Sequence, residues 1–560
     1  MKNNISLVSF LLLLQFSFAQ TSKIYLVVFK DKKNSPYSIT QPEKFLSEKS
    51  IVRRQKQNIA ITLSDLPVNT SYINDVKAIG VVVKNPSKWL NSISVSTNDE
   101  NKIEAIKKLS FVKNVTLTAD PSSSKIHTTK FYQSNNTQVI SESLSKQKSP
   151  ATVLNYGPSY FQAHQIGTDC MHNKGYLGQG MTIAILDAGF YKADSLPAFD
   201  SLRTNHQILG CRDFVVGDTL VFEDYPHGMM VLSCMGGNLP GLLVGTAPKA
   251  KFWLLRTEDA WTETLQEEVN WLIGAEFADS VGADVINSSL GYNKFDGGIG
   301  DHYYSDMDGN TTIISNAADW AASKGIFVTS SAGNSGGPPW YKITAPADAD
   351  SILTIGAVDS SGVIAGFSSR GLTFDGRIKP NTCARGVQSV VAATGGGTMT
   401  GSGTSFSSPI TAGSVACLWQ ANPTATNIEL IYAIQQSATQ AFLPDSIQGY
   451  GIPNFCKADS ILGFILSVHN IIPNDQGALS VYPNPFNSNF VIDYYSDKKE
   501  IITIELYDVT GREITSQEHI VFANTKNNFS ISDLSRLAKG MYSIRLTSSN
   551  HTYFSKIIKQ

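Results

Sequence analysis

Between residues 156 and 466, short apolar runs alternate with amphipathic helical stretches, and this alternation constrains the fold more than any other feature of the chain. The runs lie at 182–186, 252–255, 283–287, 325–329 and 352–355. They are largely apolar instead of alternating with polar residues, as expected for strands covered on both faces. Such runs separated by helices predict an α/β domain: a mostly parallel sheet with helices on both faces. The flanks read differently. Residues 20–118 hold strand patterns at 24–29, 93–96 and 112–117 and helical patterns at 42–54 and 101–109, predicting a small α+β domain. Residues 119–155 are rich in Ser, Thr, Asn, Gln and Lys and read as a linker. Residues 480–560 carry short strands at 490–494, 502–506, 542–546 and 553–557, with a turn at 508–511, predicting a small β-sandwich.

Three motifs inside the central region carry reactive groups. Asp187 ends an apolar run and is followed by Ala188 and Gly189; His227-Gly228 opens an apolar helical stretch; Ser405 stands between a Gly-rich turn and a stretch beginning near Pro409. The residue at a strand's carboxyl end lies where α/β sheets bind ligands. A serine at a helix N-terminus is exposed to a partial positive charge that favours a developing oxyanion. A serine hydroxyl needs a nearby base, and that base needs an acceptor to set its tautomer. Asp187, His227 and Ser405 supply those three parts. Asn334, in a Ser/Gly-rich stretch after another run, offers a side-chain amide for the oxyanion. Pro409 is expected in the first helical turn, where a missing N–H is harmless.

The remaining numbers mainly exclude. Net charge is −2, so no strong field favours nucleic acid. Lys2, the apolar run 8–14 and the small residues up to Ala19 read as a cleavable export signal, residues 1–19. No later run approaches the ~18 residues of a membrane span. Six cysteines allow 15 complete pairings and contain no Cys-x-x-Cys; Cys234 and Cys417, on apolar helical patterns, read as buried thiols. The acidic residues Glu258, Asp259, Glu263, Glu267 and Glu268 read as a solvated helix face; the competing reading is a cleft wall near 258–263 with a taste for basic side chains. No Asp/Asn loop shows Ca²⁺-ligand spacing, so no metal or other cofactor is required by the sequence, and Ca²⁺ has no motif behind it.

The four motifs, in the order Asp, His, Asn, Ser, closely resemble the subtilisin-like (subtilase) serine proteases. The likeness implies a subtilisin-like sheet over 156–466 and a serine endopeptidase acting on proteins or peptides. Its catalytic groups would be Asp187, His227 and Ser405, with Asn334 in the oxyanion hole. It further implies that Ser289, Leu290 and Gly291 pair with the substrate backbone, and that Ala332 and Gly333 wall the pocket for the residue before the scissile bond. The chain departs from the family pattern at Ala188, Met229 and Phe406-Ser407, none of which removes a catalytic group. Residues 20–118 resemble the inhibitor-type propeptide of such enzymes, which implies a self-processing zymogen cut within 119–155. Residues 480–560 resemble the C-terminal sorting domain of the type IX (Por) secretion system, through Tyr482-Pro483-Asn484-Pro485, Gly511-Arg512 and Gly540-Met541-Tyr542. That implies passage through the periplasm of a Gram-negative bacterium to the outside or the cell surface. An esterase, and a binding protein on an inactive scaffold, remain the rival readings.

Overall fold

The computed structural model describes residues 22–123, 154–470 and 479–560, except Asp224, Thr510, Asn524, Asn550 and His551. The stretch read as an export signal and most of the expected linker lie outside the described residues. The chain divides into two compact units, Met1–Asp459 and Ser460–Gln560.

The first unit begins with an α+β module. Strands β1 (Ile24–Phe29), β2 (Val82–Ser87), β3 (Ser92–Ser96) and β4 (Val112–Ala119) form a sheet in the order β2-β3-β1-β4. Helices α1 (Glu48–Lys56), α2 (Thr70–Ala78) and α3 (Glu100–Lys107) accompany it. The helix expected over 42–54 is broken: Pro42–Lys44 is a short 3-10 turn, and α1 starts afresh after Ser47, whose hydroxyl caps Ser50 N. Helix α2 and strand β2 carry little apolar periodicity and were not legible from the sequence. The β2 pattern alternates exposed with half-buried residues along a sheet edge.

Next come the helices α4 (Tyr160–Gln165) and α5 (Thr168–Asn173), strand β5 (Thr182–Asp187), helix α6 (Asp200–Thr204), strand β6 (Ile208–Asp213) and helix α7 (His227–Gly236). After the short pair β7 (Asn238–Leu239) and β8 (Leu243–Val244) follow β9 (Lys251–Arg256), α8 (Leu265–Val281), β10 (Val285–Ser288), α9 (Ile313–Ser323), β11 (Phe327–Ser331) and β12 (Leu353–Val358). A second short pair, β13 (Gly371–Leu372) and β14 (Ile378–Lys379), precedes β15 (Thr382–Arg385), β16 (Ser389–Ala392), β17 (Thr398–Gly401), α10 (Thr404–Ala421), α11 (Asn427–Ser437) and α12 (Phe455–Asn470). Seven strands make one parallel sheet in the order β15-β12-β11-β10-β5-β9-β6. Strands β5 and β12 are buried at every residue, as a sheet covered on both faces requires. Among the described cysteines, Cys170 on α5 and Cys456 on α12 are joined, while Cys211, Cys234, Cys383 and Cys417 are free thiols. Burial raises the Cys383 thiol, as it does those of Cys234 and Cys417.

The α+β module grips the carboxyl ends of α8 and α9 with buried charge. Arg53 donates from Nη1 to Ala283 O (2.6 Å) and from Nε to Lys324 O (3.2 Å), just past the two helices. Cations favour that position because the helix dipoles leave carbonyl oxygens unsatisfied there. Asp279 on α8 receives Arg53 at 2.6 Å, Arg54 at 2.7 Å and Lys88 at 3.1 Å, and is fully buried. Glu276, one turn earlier, accepts from Ser87 Oγ (2.5 Å) and from the backbone N–H groups of Lys88 and Trp89.

The second unit pairs a three-stranded sheet with a four-stranded one. Strands β18 (Leu479–Tyr482), β19 (Phe490–Ser496) and β22 (Thr525–Ile531) form the first; β21 (Glu513–Val521), β20 (Glu500–Asp508), β23 (Gly540–Thr547) and β24 (Thr552–Lys559) form the second. Their inner residues, including Phe490, Ile504, Ile544 and Ile557, make one apolar core, the arrangement of a β-sandwich. The turn at 508–511 closes with Gly511 N donating to Asp508 O at a φ of +80°.

Candidate active site

The parallel sheet brings the four motifs to one edge. Asp187 is the last residue of β5, Ser289–Gly291 follow β10, and Ala332–Asn334 follow β11, so all stand at carboxyl ends of adjacent strands. His227 opens α7 and Ser405 is the second residue of α10; these two helices pack together. The His227 and Phe406 rings lie 6.2 Å apart, which brings the starts of both helices together.

His227 Nδ1 and Asp187 Oδ1 are 2.8 Å apart, with the residues 1% and 0% exposed. The carboxylate accepts from the ring nitrogen and so fixes the tautomer that leaves Nε2 as the basic atom. Ala188 N also donates to Oδ1 at 2.7 Å, holding the carboxylate by main chain where the neighbouring side chain has no hydroxyl. Gly228 explains the His-Gly pair: a Cβ there would come within 2.5 Å of Gly189 O and 2.9 Å of Asp187 Cβ. Any larger residue would push α7, and His227 with it, off the end of β5.

Ser405 is 6% exposed and its Oγ donates to Ser289 O at 3.3 Å. Pro409 is the sixth residue of α10, not part of its first turn. Its missing N–H is therefore not harmless in itself, because it leaves Ser405 O without the donor four residues on. Ser289 Oγ makes good the loss, donating to Ser405 O at 3.0 Å. The helix-opening serine and the segment after β10 are thereby tied in both directions.

Asn334 is held by its carbonyl end. Oδ1 accepts from Thr404 N and Thr404 Oγ1, both at 2.9 Å, so the amide is oriented with Nδ2 as its donor end. Ala332 is buried and Gly333 half-buried, with φ +100° at the glycine. Asn287 was not singled out from the sequence, yet it organises this edge. Fully buried, it donates from Nδ2 to Ser289 Oγ (3.1 Å) and accepts at Oδ1 from Ser408 Oγ (2.9 Å) and Thr329 Oγ1 (3.3 Å). No local pattern marks such a residue; only the convergence of β10, β11 and α10 does. Asn287→Ala is expected to cost about 2 kcal/mol, because three buried hydroxyls lose a partner; a lowered thermal midpoint would report it.

The acidic stretch needs correcting. Glu258, Glu267 and Glu268 are buried, at 0%, 2% and 0% exposure, so they form no solvated helix face. Glu267 closes the capping box of α8, Glu268 accepts His302 Nε2 at 2.6 Å and Ile314 N at 3.3 Å, and Glu258 accepts the Tyr292 hydroxyl. The tertiary fold satisfies them one by one, which local charge patterning does not reveal. Glu258, Glu263 and Glu267 also bring carboxylate oxygens within 4.8 Å of one another, a grouping that sequence spacing had not suggested.

Residues 178–451 match the subtilase family, residues 24–136 the Bacteroidota propeptide domain of peptidase S8, and residues 480–560 a secretion-system C-terminal sorting domain. Over 280 residues the chain is 30% identical to subtilisin of Bacillus pumilus, covering 49% of this chain and 90% of that one. It is 31% identical to subtilisin E of Bacillus subtilis over 280 residues (49% of this chain, 65% of the relative) and 31% identical to the thermophilic serine proteinase of Bacillus sp. AK1 over 302 residues (52% and 65%). The match thus spans a little under two thirds of the length of those last two relatives. The chain belongs to the subtilase family of serine peptidases. It carries that family's propeptide domain before the sheet and a secretion sorting domain after it. Among the described residues, no helix is long and apolar enough to cross a membrane.

Proposed function

We propose that this chain is a secreted serine endopeptidase, made as a self-processing zymogen. The observation that carries the reading is the buried His227–Asp187 pair at 2.8 Å beside the start of α10, where Ser405 sits. In the reaction, Ser405 Oγ turns from Ser289 O toward His227 and attacks the scissile carbonyl. Its proton passes to His227 Nε2 while Asp187 steadies the imidazolium. The tetrahedral oxyanion is met by Asn334 Nδ2 and by the Ser405 N–H, which the first helical turn leaves without an intrahelical acceptor. Nε2 then protonates the leaving amine, and water, deprotonated by the same nitrogen, releases the acyl group from Ser405. Ser289, Leu290 and Gly291 pair with the extended substrate backbone, and Ala332 and Gly333 wall the slot for the P1 side chain.

Base, acid and oxyanion donors all come from the chain, so this chemistry calls for no metal or organic cofactor; we assign Ca²⁺ no step in it. The α+β module acts as inhibitor until a cut within 119–155 frees it. The C-terminal sandwich directs the protein through the type IX machinery, by way of the periplasm, to the outside or the cell surface. Protein or peptide substrates, and not nucleic acid, are its partners.

The test is paired secretion of the intact chain and its Ser405→Ala variant, with sizes and N-termini read by mass spectrometry. The wild type is expected to lose everything up to a cut between 119 and 155, and the variant to keep residues 20–118. Identical processing of both would sink the self-processing reading.

A further inference from the structure

The two glycines at the edges of the P1 slot close on a single hydroxyl. A Cβ built on Gly291 would lie 2.3 Å from Thr344 Oγ1, and one built on Gly333 would lie 2.8 Å from the same atom. Thr344 is 3% exposed, and its Oγ1 has no hydrogen-bond partner among the described residues. A buried hydroxyl without a partner costs stability, so an arrangement that keeps one is a candidate place for a ligand group. The segment that carries it is well fixed. Tyr292 and Ala345 exchange both backbone hydrogen bonds (2.8 and 3.1 Å), Ala347 N donates to Thr344 O (2.8 Å), and Ile343 and Ala347 pack on Ala332. A second fully buried hydroxyl, Ser369 Oγ, lies 3.0 Å from the same built Cβ on Gly333. It accepts from Ser335 N at 3.0 Å, a bond that does not use its own proton.

We propose that Thr344, seconded by Ser369, makes the P1 slot select a neutral hydrogen-bonding side chain, a carboxamide above all, over an aliphatic one of the same size. The inference rests on the peptidase reading above and names the substrate class of that site. A carboxamide brings both a donor and an acceptor to meet two hydroxyls that can each do either. Its plane also suits a slot edged by two residues without side chains. A charged P1 group is disfavoured, because hydroxyls do not neutralise a buried charge.

The experiment uses the secreted, processed protein and peptide anilides that differ only at P1, in the near-isosteric pairs Asn/Leu and Gln/Met. The wild type is expected to favour Asn over Leu and Gln over Met by about tenfold or more in kcat/KM, since a site with waiting hydrogen-bond partners discriminates against an apolar isostere. Thr344→Val keeps the shape without the hydroxyl and is expected to erase that preference, and Thr344→Ser to retain it. Each ratio is taken within one preparation, so a reduced yield of folded variant does not affect it. Equal or faster cleavage after Leu and Met by the wild type, or an unchanged ratio in Thr344→Val, would overturn the proposal. A serine-directed phosphonate separates the two levels of failure. Labelling of Ser405 with the wrong P1 ratio rejects the role of Thr344 alone, whereas no labelling and no cleavage of any peptide rejects the peptidase reading and this inference with it.

Discussion

Alanine in place of His227 is expected to lower kcat/KM toward a peptide by roughly 10⁶-fold, and asparagine in place of Asp187 by roughly 10⁴-fold. These are the losses such triads show when their base, or its acceptor, is removed. The difference between them has a structural cause. Without the imidazole, nothing else at the start of α7 takes the Ser405 proton. In Asp187→Asn the ring stays in place, but the new amide can donate to Nδ1 and so holds the wrong tautomer. Both residues are buried, so bulk water does not substitute for the missing group. Initial rates on one peptide, with the two variants at matched concentration, decide the matter. Activity within tenfold of wild type in His227→Ala would remove the triad from the mechanism.

The second large effect is expected at Asp279, far from the reacting groups. Asp279→Ala removes the carboxylate that Arg53, Arg54 and Lys88 share and leaves Arg54 with Asp65 alone, at 3.0 Å. Taking one partner from a buried ionic cluster costs about 3–5 kcal/mol, because the remaining charges have lost solvent and are under-compensated. The measurement is the urea midpoint of the uncut zymogen, made in the Ser405→Ala background so that no processing intervenes. A midpoint within error of the parent would show that the grip of the α+β module on α8 does not depend on charge. The same cluster predicts a pH dependence. Burial raises the Asp279 pKa, but Lys88, Arg53 and Arg54 outweigh it and hold it at about 2. A carboxyl whose folded pKa lies below its ordinary value, near 3.9, stabilises the fold above that value and loses the contribution as pH falls through the folded one. Zymogen stability should therefore drop between about pH 4 and pH 2, and this part of the profile should be absent in Asp279→Asn.

Locally encoded features were legible before any coordinates. Strands buried on both faces show as apolar runs, so β5, β9, β10, β11 and β12 were visible to within a few residues. The candidate reactive groups sit at points the chain punctuates itself: Asp187 at a strand end before Gly189, His227 beside a glycine that permits close approach, Ser405 after a glycine turn. The free buried thiols Cys234 and Cys417 likewise follow from their apolar surroundings. Edge elements such as β2 were missed, because half-exposed residues leave no periodic signal. The break at Ser47 was missed because a helical pattern bridged it.

What the sequence determined by itself is the kind of sheet and the candidate reactive groups at its edge, since strand period, turn residues and side-chain reactivity are properties of a few neighbouring residues. What only the tertiary structure decided depends on residues far apart in the chain. The strand order across the sheet, and the choice of Cys170 with Cys456 across 286 residues, depend on the path of the whole chain. So do the bond from Ser289 that replaces the one Pro409 cannot make, the burial of Glu258, Glu267 and Glu268, and the arrival of Thr344 between Gly291 and Gly333. Whether a polar group is satisfied or left waiting is a question of who its neighbours are once the chain has closed on itself, and local pattern holds no record of them.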